Sequence, residues 1–313
     1  GSVGEAKAEE GEGGEEDVVS VVFREKWSVT EAKARRDSPY GTMPGWRLMP
    51  VIVKSNDDLR QEQFVSQLLL QFDQIFRAAK IPVWLRPYDI LAVSEDAGLI
   101  EAIPDTISLD SLKKGDSKFT TLDDFFIRHF GGGNPDSPQL KAARMNFVRS
   151  LAAYSMVCYI LQIKDRHNGN ILLDAKGHII HIDFGFVFTN APGGVQFEAA
   201  PFKLTNGFAN VMGGPRSKMF IQYRKLCIRA FLEIRKRRQK ILLLVEMMLS
   251  GNDSLPCFAG GRRAVMSGLK GRFAPDAKDR TCVQLVNSLI DTSLGNWRTS
   301  CYDRFQRCCT GVM

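Results

Sequence analysis

The chain has 313 residues, 44% of them hydrophobic, and a formal net charge of +7 at pH 7. This length and apolar content predict a substantial core divided between two lobes. No apolar run approaches the roughly 20 residues that cross a bilayer, and no signal peptide is recognisable, so a membrane-spanning or secreted protein is not expected. Seven scattered cysteines without a Cys-x-x-Cys pair argue against a disulfide framework and a zinc site, and favour a cytoplasmic protein.

The charge is unevenly distributed along the chain. Residues 1–20 hold seven acidic residues and one lysine, a net charge of −6, so the remainder carries +13. We expect this Gly- and Glu-rich leader to be disordered, and its Gly-Ser start is typical of an expression remnant. The basic remainder suits an anionic partner such as a nucleotide, an acidic membrane or a nucleic acid, and charge alone does not choose among them.

The first part of the chain mixes strand and helix patterns. Apolar runs bounded by turn formers predict five strands, over residues 21–23, 46–53, 83–85, 90–93 and 99–103. A short helix is expected over 28–36, and a turn at the Ser-Pro-Tyr-Gly of 38–41. In residues 59–80 the apolar side chains recur at helical spacing, which predicts an amphipathic helix that Pro82 closes.

The second part is mainly helical. Helices are predicted over residues 122–130, 140–163, 216–249, 281–294 and 297–309, with a polar loop at 113–118. The 140–163 segment is apolar almost all round, as in a buried helix. Together these patterns predict an α+β fold with a small β-rich lobe over residues 21–103 and a larger, mainly helical lobe over residues 104–313.

Residues 165–185 carry most of the candidate chemistry. Residues 165–170 read Asp-Arg-His-Asn-Gly-Asn, and residues 183–185 read Asp-Phe-Gly. Between them, the apolar runs 171–173 and 179–182 flank turn formers, which predicts a β-hairpin. Because a hairpin brings its outer ends together, we expect the two polar segments to meet in one small volume.

Four polar side chains should converge there: Asp165, His167, Asn170 and Asp183. Two carboxylates, an amide and an imidazole suit divalent metal and phosphate chemistry. Protein kinases place a catalytic Asp five residues before a metal-binding Asn and close the site with Asp-Phe-Gly. Asn170 follows Asp165 by the same interval, 170 − 165 = 5. A hairpin whose polar residues only cap turns is the alternative, and the two motifs at this separation disfavour it.

The order Asp-Arg-His, reversed from the His-Arg-Asp of protein kinases, resembles the phosphoinositide 3- and 4-kinases and their protein-kinase relatives. Residues 51–62, Val-Ile-Val-Lys-Ser-Asn-Asp-Asp-Leu-Arg-Gln-Glu, resemble their lysine strand and the helix after it. Residues 201–205, Pro-Phe-Lys-Leu-Thr, are similar to the end of their activation loop. The Ser-Pro-Tyr-Gly turn and residues 302–313 resemble the type III beta phosphatidylinositol 4-kinases. The motifs are specific as a set, and the resemblance covers residues 38–313.

This resemblance implies a bilobal protein-kinase-like fold and a lipid kinase activity. The γ-phosphate of ATP would pass to the 4-hydroxyl of phosphatidylinositol, giving phosphatidylinositol 4-phosphate at cytosolic membrane surfaces. The implied cofactors are ATP and Mg²⁺, with Mn²⁺ as an alternative ion. The resemblance also implies a peripheral location on internal membranes such as the Golgi, recruiting or regulatory proteins bound outside this fragment, and no nucleic-acid partner.

The resemblance assigns roles at matching positions. Asp165 and His167 would act on the inositol hydroxyl, one as base and the other as orienter or charge stabiliser, while Arg166 would support their loop. Asn170 and Asp183 would hold the metal ion. The nucleotide would be contacted by a set drawn from strand, helix and hinge: Lys54, Asp57, Glu62, Tyr88, Glu101, Ala102, Ile103 and Ile182. The activation loop would present Gly185, Phe186 and Lys203 to the substrate.

Within the nucleotide set, Lys54 would contact the phosphates as a point charge. The Glu101 carbonyl and the Ile103 amide would bond adenine, and Glu62 would line the inner pocket beside Tyr88. Ordinary alternatives exist, because a lysine at a strand end is usually a solvated surface residue and a lone tyrosine is more often core. Only the Asp-Asp-Leu-Arg-Gln-Glu sequence that follows Lys54 favours the functional interpretation.

The predicted activation loop, residues 186–204, contains Lys203 as its only basic residue. A kinase acting on an already phosphorylated inositol ring needs cations there to pair the extra phosphates. Their absence favours phosphatidylinositol with an unphosphorylated head group. The terminal helix, with Trp297 among arginines and other aromatic residues, is a candidate for membrane contact, and packing on the large lobe is the alternative.

The chain departs from the family pattern in one respect. No phosphate-covering loop between two strands is recognisable before the lysine strand, so the chain is expected to be a trimmed catalytic fragment. Two rivals therefore stay open: a protein kinase of the related superfamily, and a catalytically impaired nucleotide-binding scaffold. The terminal sequence disfavours the first, and the intact Lys54, Asp165, Asn170 and Asp183 disfavour the second.

Overall fold

The computed structural model describes residues 23, 25–192 and 200–296. Their secondary structure combines α-helices with two small antiparallel sheets, as the predicted α+β class requires. Among these residues no helix has both the length and the apolar character to cross a bilayer.

The smaller part of the structure is built on a three-stranded sheet. Its elements are α1 (Trp27–Asp37), β1 (Val51–Ser55), α2 (Arg60–Ala78), β2 (Ile90–Ala92) and β3 (Ala97–Glu101). The strand order is β1-β3-β2, with Lys54 opposite Gly98 and Val51 opposite Glu101. Helix α2 buries the apolar side chains that recur at helical spacing, including Phe64, Leu68 and Phe72, so it packs under the sheet and against helices of the larger part.

The larger part is mainly helical around a second three-stranded sheet. Its elements are β4 (Thr106–Ser108), α3 (Leu109–Gly115), α4 (Leu122–Gly131), α5 (Pro138–Leu161), β5 (Ile171–Asp174), β6 (Ile179–His181), α6 (Asn206–Val211), α7 (Lys218–Lys236), α8 (Arg238–Leu249), α9 (Gly261–Arg272) and α10 (Asp279–Ser293). Two 3₁₀ turns, Asn168–Asn170 and Pro256–Phe258, complete it.

Helix α5 is the centre of the core. Ser137 caps its start by accepting a hydrogen bond from the Leu140 amide at 3.4 Å, and Pro138 occupies the first turn, where its missing amide costs nothing. The helix ends at Gln162, whose φ of 54° is left-handed. Most of its second half is fully buried, and it packs against α4 and α7. Because α5 is packed so firmly, it fixes the position at which the chain enters the polar segment at 165–170.

The predicted hairpin is confirmed as β5 and β6, which pair with Ile171 opposite His181 and Leu173 opposite Ile179. Its turn contains Gly177 at a φ of +89°. A Cβ on this residue would lie 2.7 Å from the backbone oxygen of Ala143 in α5, so both the conformation and the close approach require glycine. The turn thereby fixes the hairpin against the central helix.

Several predicted elements differ from the structure. Strand β1 begins at Val51, five residues after the predicted start. Residues 83–85 form no strand, because the Val83 amide donates to the Ile81 oxygen and the Trp84 amide to the Arg149 oxygen in α5. Residues 113–115, expected in a loop, end helix α3. The helix predicted over 216–249 is interrupted at Arg237, whose φ of −100° and ψ of 13° separate α7 from α8.

Four elements were not predicted: strand β4, which pairs with β5, and helices α3, α6 and α9. The small lobe was expected to contain five strands, and its described residues contain three. Residues 21–22 and 297–309 lie outside the described residues, so the predicted first strand and terminal helix remain predictions. The helices expected over 28–36, 59–80, 122–130, 140–163 and 281–294 are confirmed as α1, α2, α4, α5 and α10.

Candidate active site

The hairpin brings its two polar ends together. The Ile182 amide, just after β6, donates to the Asn170 oxygen, just before β5, at 3.1 Å. The Asn170 side chain in turn donates from Nδ2 to the Asp165 backbone oxygen at 3.0 Å. Asp165 and Asp183 have left-handed φ values of 62° and 59°, a conformation that is sparsely populated outside glycine and concentrates at functional sites.

Arg166 holds these two segments in place from beneath. It is 2% exposed, and its guanidinium donates to the backbone oxygens of Lys164 at 2.9 Å and Ile182 at 2.7 Å, and also to that of Asp183. The same group lies over the Phe184 ring, 5.7 Å from its centroid. The guanidinium is thus already bonded to backbone oxygens of the protein, which suits the supporting role expected for Arg166.

His167 faces Asp165 with a defined tautomer. Its Nδ1 accepts a hydrogen bond from the Gly169 amide at 3.1 Å, so the neutral ring carries its proton on Nε2. Burial lowers the pKa of His167 below 6.5, although Asp165 opposes that shift, and the ring is therefore neutral at pH 7. Nε2 lies 3.9 Å from Oδ1 of Asp165, which is beyond hydrogen-bond distance.

Asn170 and Asp183 provide the donor set that was expected for a metal ion. Nδ2 of Asn170 is bonded to the Asp165 backbone, which orients its Oδ1 as the remaining acceptor. Asp183 is exposed, and its Oδ1 accepts from the Gly185 amide at 3.3 Å. Among the described residues there is no cluster of three or more His, Cys, Asp or Glu side chains around a point. One amide and one carboxylate oxygen suit Mg²⁺, which is usually bound by one or two carboxylates together with phosphates and water.

The small lobe contributes a lysine and two carboxylates to the same region. Lys54 Nζ lies 3.3 Å from Oδ2 of Asp57. Burial, together with the negative charges of Asp183 and Asp57, raises the pKa of Glu62 from 4.5 to about 7, while Lys54 and Arg166 oppose that rise. These groups therefore share one electrostatic neighbourhood between the lobes, and its surplus of carboxylates favours a bound cation.

Tyr88 packs against the Asp-Phe-Gly motif. It is 4% exposed, its ring stacks on Phe184 with the two centroids 6.1 Å apart, and the backbone of Asp183 lies close enough to the hydroxyl to lower its pKa against the larger effect of burial. Burial raises the pKa of Tyr88 well above 10, so the hydroxyl stays protonated and able to donate. The structure thus brings Tyr88 to the site, where it contacts the backbone that carries Asp183.

The predicted hinge connects β3 to β4. The Glu101 amide donates to the Asp89 oxygen at 2.8 Å, and the Ala102 amide donates to the Pro50 oxygen at 2.9 Å. The Ile103 oxygen accepts from the Thr106 hydroxyl at 2.7 Å, whereas its amide has no hydrogen-bond partner among the residues that the structure describes. An available amide at the hinge is the donor that an adenine ring requires.

The activation loop is anchored at both ends. The Phe186 oxygen accepts from the Lys164 amide at 2.9 Å, and the Gly185 oxygen accepts from the Asn190 side chain at 3.1 Å. Lys203 is 5% exposed, and its Nζ donates to Oδ1 of Asn168 at 3.0 Å. This lysine therefore joins the end of the loop to the polar segment before β5, and its ammonium is not presented to solvent. Residues 193–199 and Trp297 lie outside the described residues.

Gln61 belongs to the site and was missed by sequence reasoning. It is 5% exposed, and its side chain bonds the Phe184 oxygen and the Cys257 amide. A signal was available, because Gln61 precedes Phe64 by three positions and Leu68 by seven, which places it on the apolar stripe of α2.

A model of the phosphatidylinositol 3- and 4-kinase family matches residues 48–259, more than half of the chain. The chain belongs to this family. Its bilobal kinase-like fold places the β1-β3-β2 sheet and α2 in the small lobe and the helices around β4-β5-β6 in the large lobe, with the site between them.

Curated relatives resemble the chain over most of its length. It is 47% identical over 290 residues to a phosphatidylinositol 4-kinase of Dictyostelium discoideum, which covers 93% of the chain and 24% of that protein. It is 49% identical over 292 residues to phosphatidylinositol 4-kinase beta 2 of Arabidopsis thaliana, covering 92% and 26%, and 43% identical over 298 residues to phosphatidylinositol 4-kinase beta of Xenopus laevis, covering 95% and 36%. The chain thus spans about a quarter to a third of the length of these family members.

Proposed function

We propose that this chain is the catalytic part of a lipid kinase that transfers the γ-phosphate of ATP to the 4-hydroxyl of phosphatidylinositol. Its small lobe would comprise residues 21–103 and its large lobe residues 104–313. The observation that carries the proposal is the hairpin, whose hydrogen bonds join the segment of Asp165 and Asn170 to the segment of Asp183. Lys54 belongs to the same electrostatic neighbourhood, because both it and Asp183 act on Glu62. The names of the relatives support phosphatidylinositol as the acceptor and position 4 as the site of transfer.

The nucleotide would bind in the cleft between the lobes. The Glu101 carbonyl and the Ile103 amide would pair with adenine, with Ala102 between them and Ile182 below the ring. Lys54, whose side chain is half exposed, would reach the phosphates, while the charges of Asp57 and Glu62 would hold it in the cleft. Because backbone groups would recognise adenine, the hinge would need no specific side chain for this contact.

The side-chain oxygens of Asn170 and Asp183 are the proposed ligands of the metal ion. Held by Asn170 and Asp183, a bound Mg²⁺ would neutralise phosphate charge and polarise the transferred phosphoryl group. Mn²⁺ accepts carboxylate, amide and water ligands as well, so it would support turnover too. Arg166 fixes the backbone of Asp183, and the Gly185 amide orients its carboxylate.

Asp165 is the better candidate for the base. Nδ1 of His167 already accepts the Gly169 amide, and Nε2 carries the proton, so this tautomer has no free site for the proton of the inositol hydroxyl. Asp165 can take that proton, and the Nε2–H of His167 can donate to the phosphoryl oxygens or steady the Asp165 carboxylate. The proposal thus makes Asp165 the base and His167 the hydrogen-bond donor, a choice that the sequence left open.

The acceptor would carry no phosphate on its inositol ring. Lys203 is the only basic residue in the loop over 186–204, and its ammonium is buried against Asn168. A head group with extra phosphates would therefore find no cation there, and desolvating an unpaired phosphate is costly. Phosphatidylinositol avoids that cost.

The test is a kinase assay on vesicles that contain phosphatidylinositol, its 4-phosphate or its 4,5-bisphosphate, followed by chromatography of the products and isomer analysis. We expect the fastest transfer to phosphatidylinositol and a 4-phosphate product, and Asp183→Ala should lose metal-dependent turnover. Faster turnover of a phosphorylated lipid would contradict the acceptor argument. Transfer to peptide in place of lipid would favour a protein kinase, and nucleotide binding without hydrolysis would favour a scaffold.

The lipid acceptor places the enzyme on a membrane surface. We propose peripheral binding on internal membranes such as the Golgi, assisted by recruiting or regulatory proteins bound outside this fragment. Trp297 in the basic terminal segment is the proposed membrane contact. Flotation with anionic vesicles should show weaker binding for Trp297→Glu, and unchanged binding and activity would point to packing on the large lobe.

A further inference from the structure

Gln61 connects three parts of the molecule through one side chain. Its Nε2 donates to the Phe184 oxygen at 2.8 Å, within Asp-Phe-Gly. Its Oε1 accepts from the Cys257 amide at 2.9 Å, in the 3₁₀ turn that follows α8. Since Gln61 lies in the first turn of α2, it connects the small lobe both to the Asp-Phe-Gly motif and to the 3₁₀ turn of the large lobe.

The same 3₁₀ turn also binds the activation loop. The Thr189 hydroxyl donates to the Cys257 oxygen at 3.0 Å and accepts from the Gly260 amide at 3.1 Å. A Cβ on Gly260 would lie 2.8 Å from the Thr189 side chain, so the two segments touch directly. Residues 256–260, here called the clasp, therefore contact the activation loop and α2 at the same time.

Aromatic packing reinforces the clasp. The Phe258 ring lies 6.2 Å from Phe64 of α2 in an edge arrangement and stacks at 6.1 Å on Phe188 of the activation loop. All three rings are buried. The clasp thus contacts α2 and the activation loop, which frame the candidate metal site, through both hydrogen bonds and aromatic packing.

We propose that Gln61 is a positioning residue for phosphate transfer, one that fixes the backbone next to Asp183 by bridging it to the clasp. The proposal rests on the proposed kinase function. Glu62 follows Gln61 in the chain, and Asp183 precedes Phe184. A displacement of the hydrogen bond between Gln61 and Phe184 therefore moves both of these charged side chains. The Gln61 side chain is buried and both of its polar ends are bonded to backbone groups of the protein, so we assign it an indirect role through Asp183.

The bridge requires a group that donates and accepts at once. The Phe184 oxygen needs a donor, and the Cys257 amide needs an acceptor. Glutamine provides both, whereas an ionised glutamate provides only the acceptor and turns a negative oxygen toward the Phe184 carbonyl. A protonated glutamate restores the donor, while methionine fills similar space and makes neither bond.

These differences define the experiment. Gln61→Glu, Gln61→Met and the control Gln67→Glu, which makes the same change on the exposed side of α2, are compared with the wild type. ATP affinity is measured by calorimetry, phosphate transfer is measured from pH 5.5 to 8.5, and folding is checked by thermal unfolding. The wild-type pH profile serves as the reference because Glu62 titrates in this range, whereas the pKa of the Cys257 thiol is raised to about 12.

We expect both Gln61 variants to lose turnover at pH 8 by about 5- to 150-fold, the range for leaving buried hydrogen-bonding groups unsatisfied. Gln61→Glu should recover toward the wild type as the pH falls, and Gln61→Met should not. Equal turnover and equal ATP affinity in Gln61→Glu and Gln67→Glu at all pH values would overturn the proposal, as would recovery by Gln61→Met at low pH.

A second variant and a second readout test the proposal if the first comparison fails. If the Gln61 variants do not fold, Thr189→Val removes the hydroxyl contacts of the clasp without changing shape, and it should lower turnover in the same direction; no effect there overturns the proposal. If the wild type transfers nothing to phosphatidylinositol, the lipid kinase assignment has failed. In that case Gln61→Glu is still expected to bind ATP more weakly than Gln67→Glu does, and equal ATP affinity in the two variants would overturn the proposed bridge.

Discussion

Substituting Arg166 measures how much the stability of the site depends on hydrogen bonds to buried backbone oxygens. Replacing it with methionine keeps an unbranched side chain but removes every donor. Three backbone oxygens, those of Lys164, Ile182 and Asp183, then lose a charged partner. Taking the low end of about 1.5 kcal/mol for each hydrogen bond to a charged group gives a loss of about 4 to 5 kcal/mol in the free energy of unfolding.

That loss is large compared with the roughly 5–15 kcal/mol by which domains are stable. Urea unfolding at 25 °C, followed by tryptophan fluorescence, measures it for the wild type and for Arg166→Met. Arg166→Lys should lie between them because one ammonium cannot reach all three oxygens. Arg229→Met, on the exposed side of α7, controls for the loss of an arginine and should change stability by less than about 0.5 kcal/mol.

The result also separates support from chemistry. Arg166→Met should reduce phosphate transfer even at temperatures where it is fully folded, because the backbone of Asp183 loses its anchor. A loss of stability below about 1 kcal/mol would refute the reasoning, since it would mean that these oxygens gain little from Arg166. So would full activity in the folded variant.

Three further predictions concern the hairpin turn and two titrating groups. Gly177→Ala should lower the free energy of unfolding by more than about 2 kcal/mol, because its Cβ would lie 2.7 Å from the Ala143 oxygen at a φ of +89°; an unchanged thermal midpoint would contradict this. Burial lowers the pKa of His129 below 6.5, so stability should fall as the pH drops through 6.5, and His129→Phe should reduce that slope by up to about 1.4 kcal/mol per pH unit. The raised pKa of Glu62, about 7, has the opposite sign: its contribution is full below pH 4.5 and is lost as the pH rises through 7. Glu62→Gln should therefore gain up to about 3 kcal/mol at pH 8 without nucleotide. Urea titrations in which His129→Phe or Glu62→Gln has the same pH dependence of stability as the wild type would contradict the assignment for that residue.

The sequence was most informative where a pattern is long and local. The apolar spacing of α2, the continuous burial of α5 and the paired runs of β5 and β6 each extend over enough residues to identify the element. The hairpin also predicted which polar groups would meet, because its geometry fixes the distance between its ends. Fold class and the residue types of the site follow from these three elements.

What could not be predicted depends on partners that are distant in sequence. Residues 83–85 are as apolar as a strand, but the Trp84 amide finds its acceptor in α5. Strand β4 is too short to show a period, and it exists because the chain returns beside β5. Local sequence does not contain these pairings.

The site shows the same limit at the level of side chains. The sequence identifies Lys203 as basic, but its burial against Asn168 depends on where the activation loop ends. Likewise, which ring nitrogen of His167 carries the proton depends on the position of the Gly169 amide. Residue type can therefore be predicted in advance, whereas orientation and protonation follow only from the folded structure.

The left-handed backbone at Asp165 and Asp183 has a consequence for which substitutions the site can accept. Glycine adopts such φ values freely, whereas a residue with a Cβ loses on the order of 1 kcal/mol there. Substituting glycine at either position would relax the chain and delete a carboxylate in the same step. The roles proposed for Asp165 and Asp183 would therefore oppose the substitution that the backbone conformation favours, so that activity and stability would make conflicting demands at these two positions.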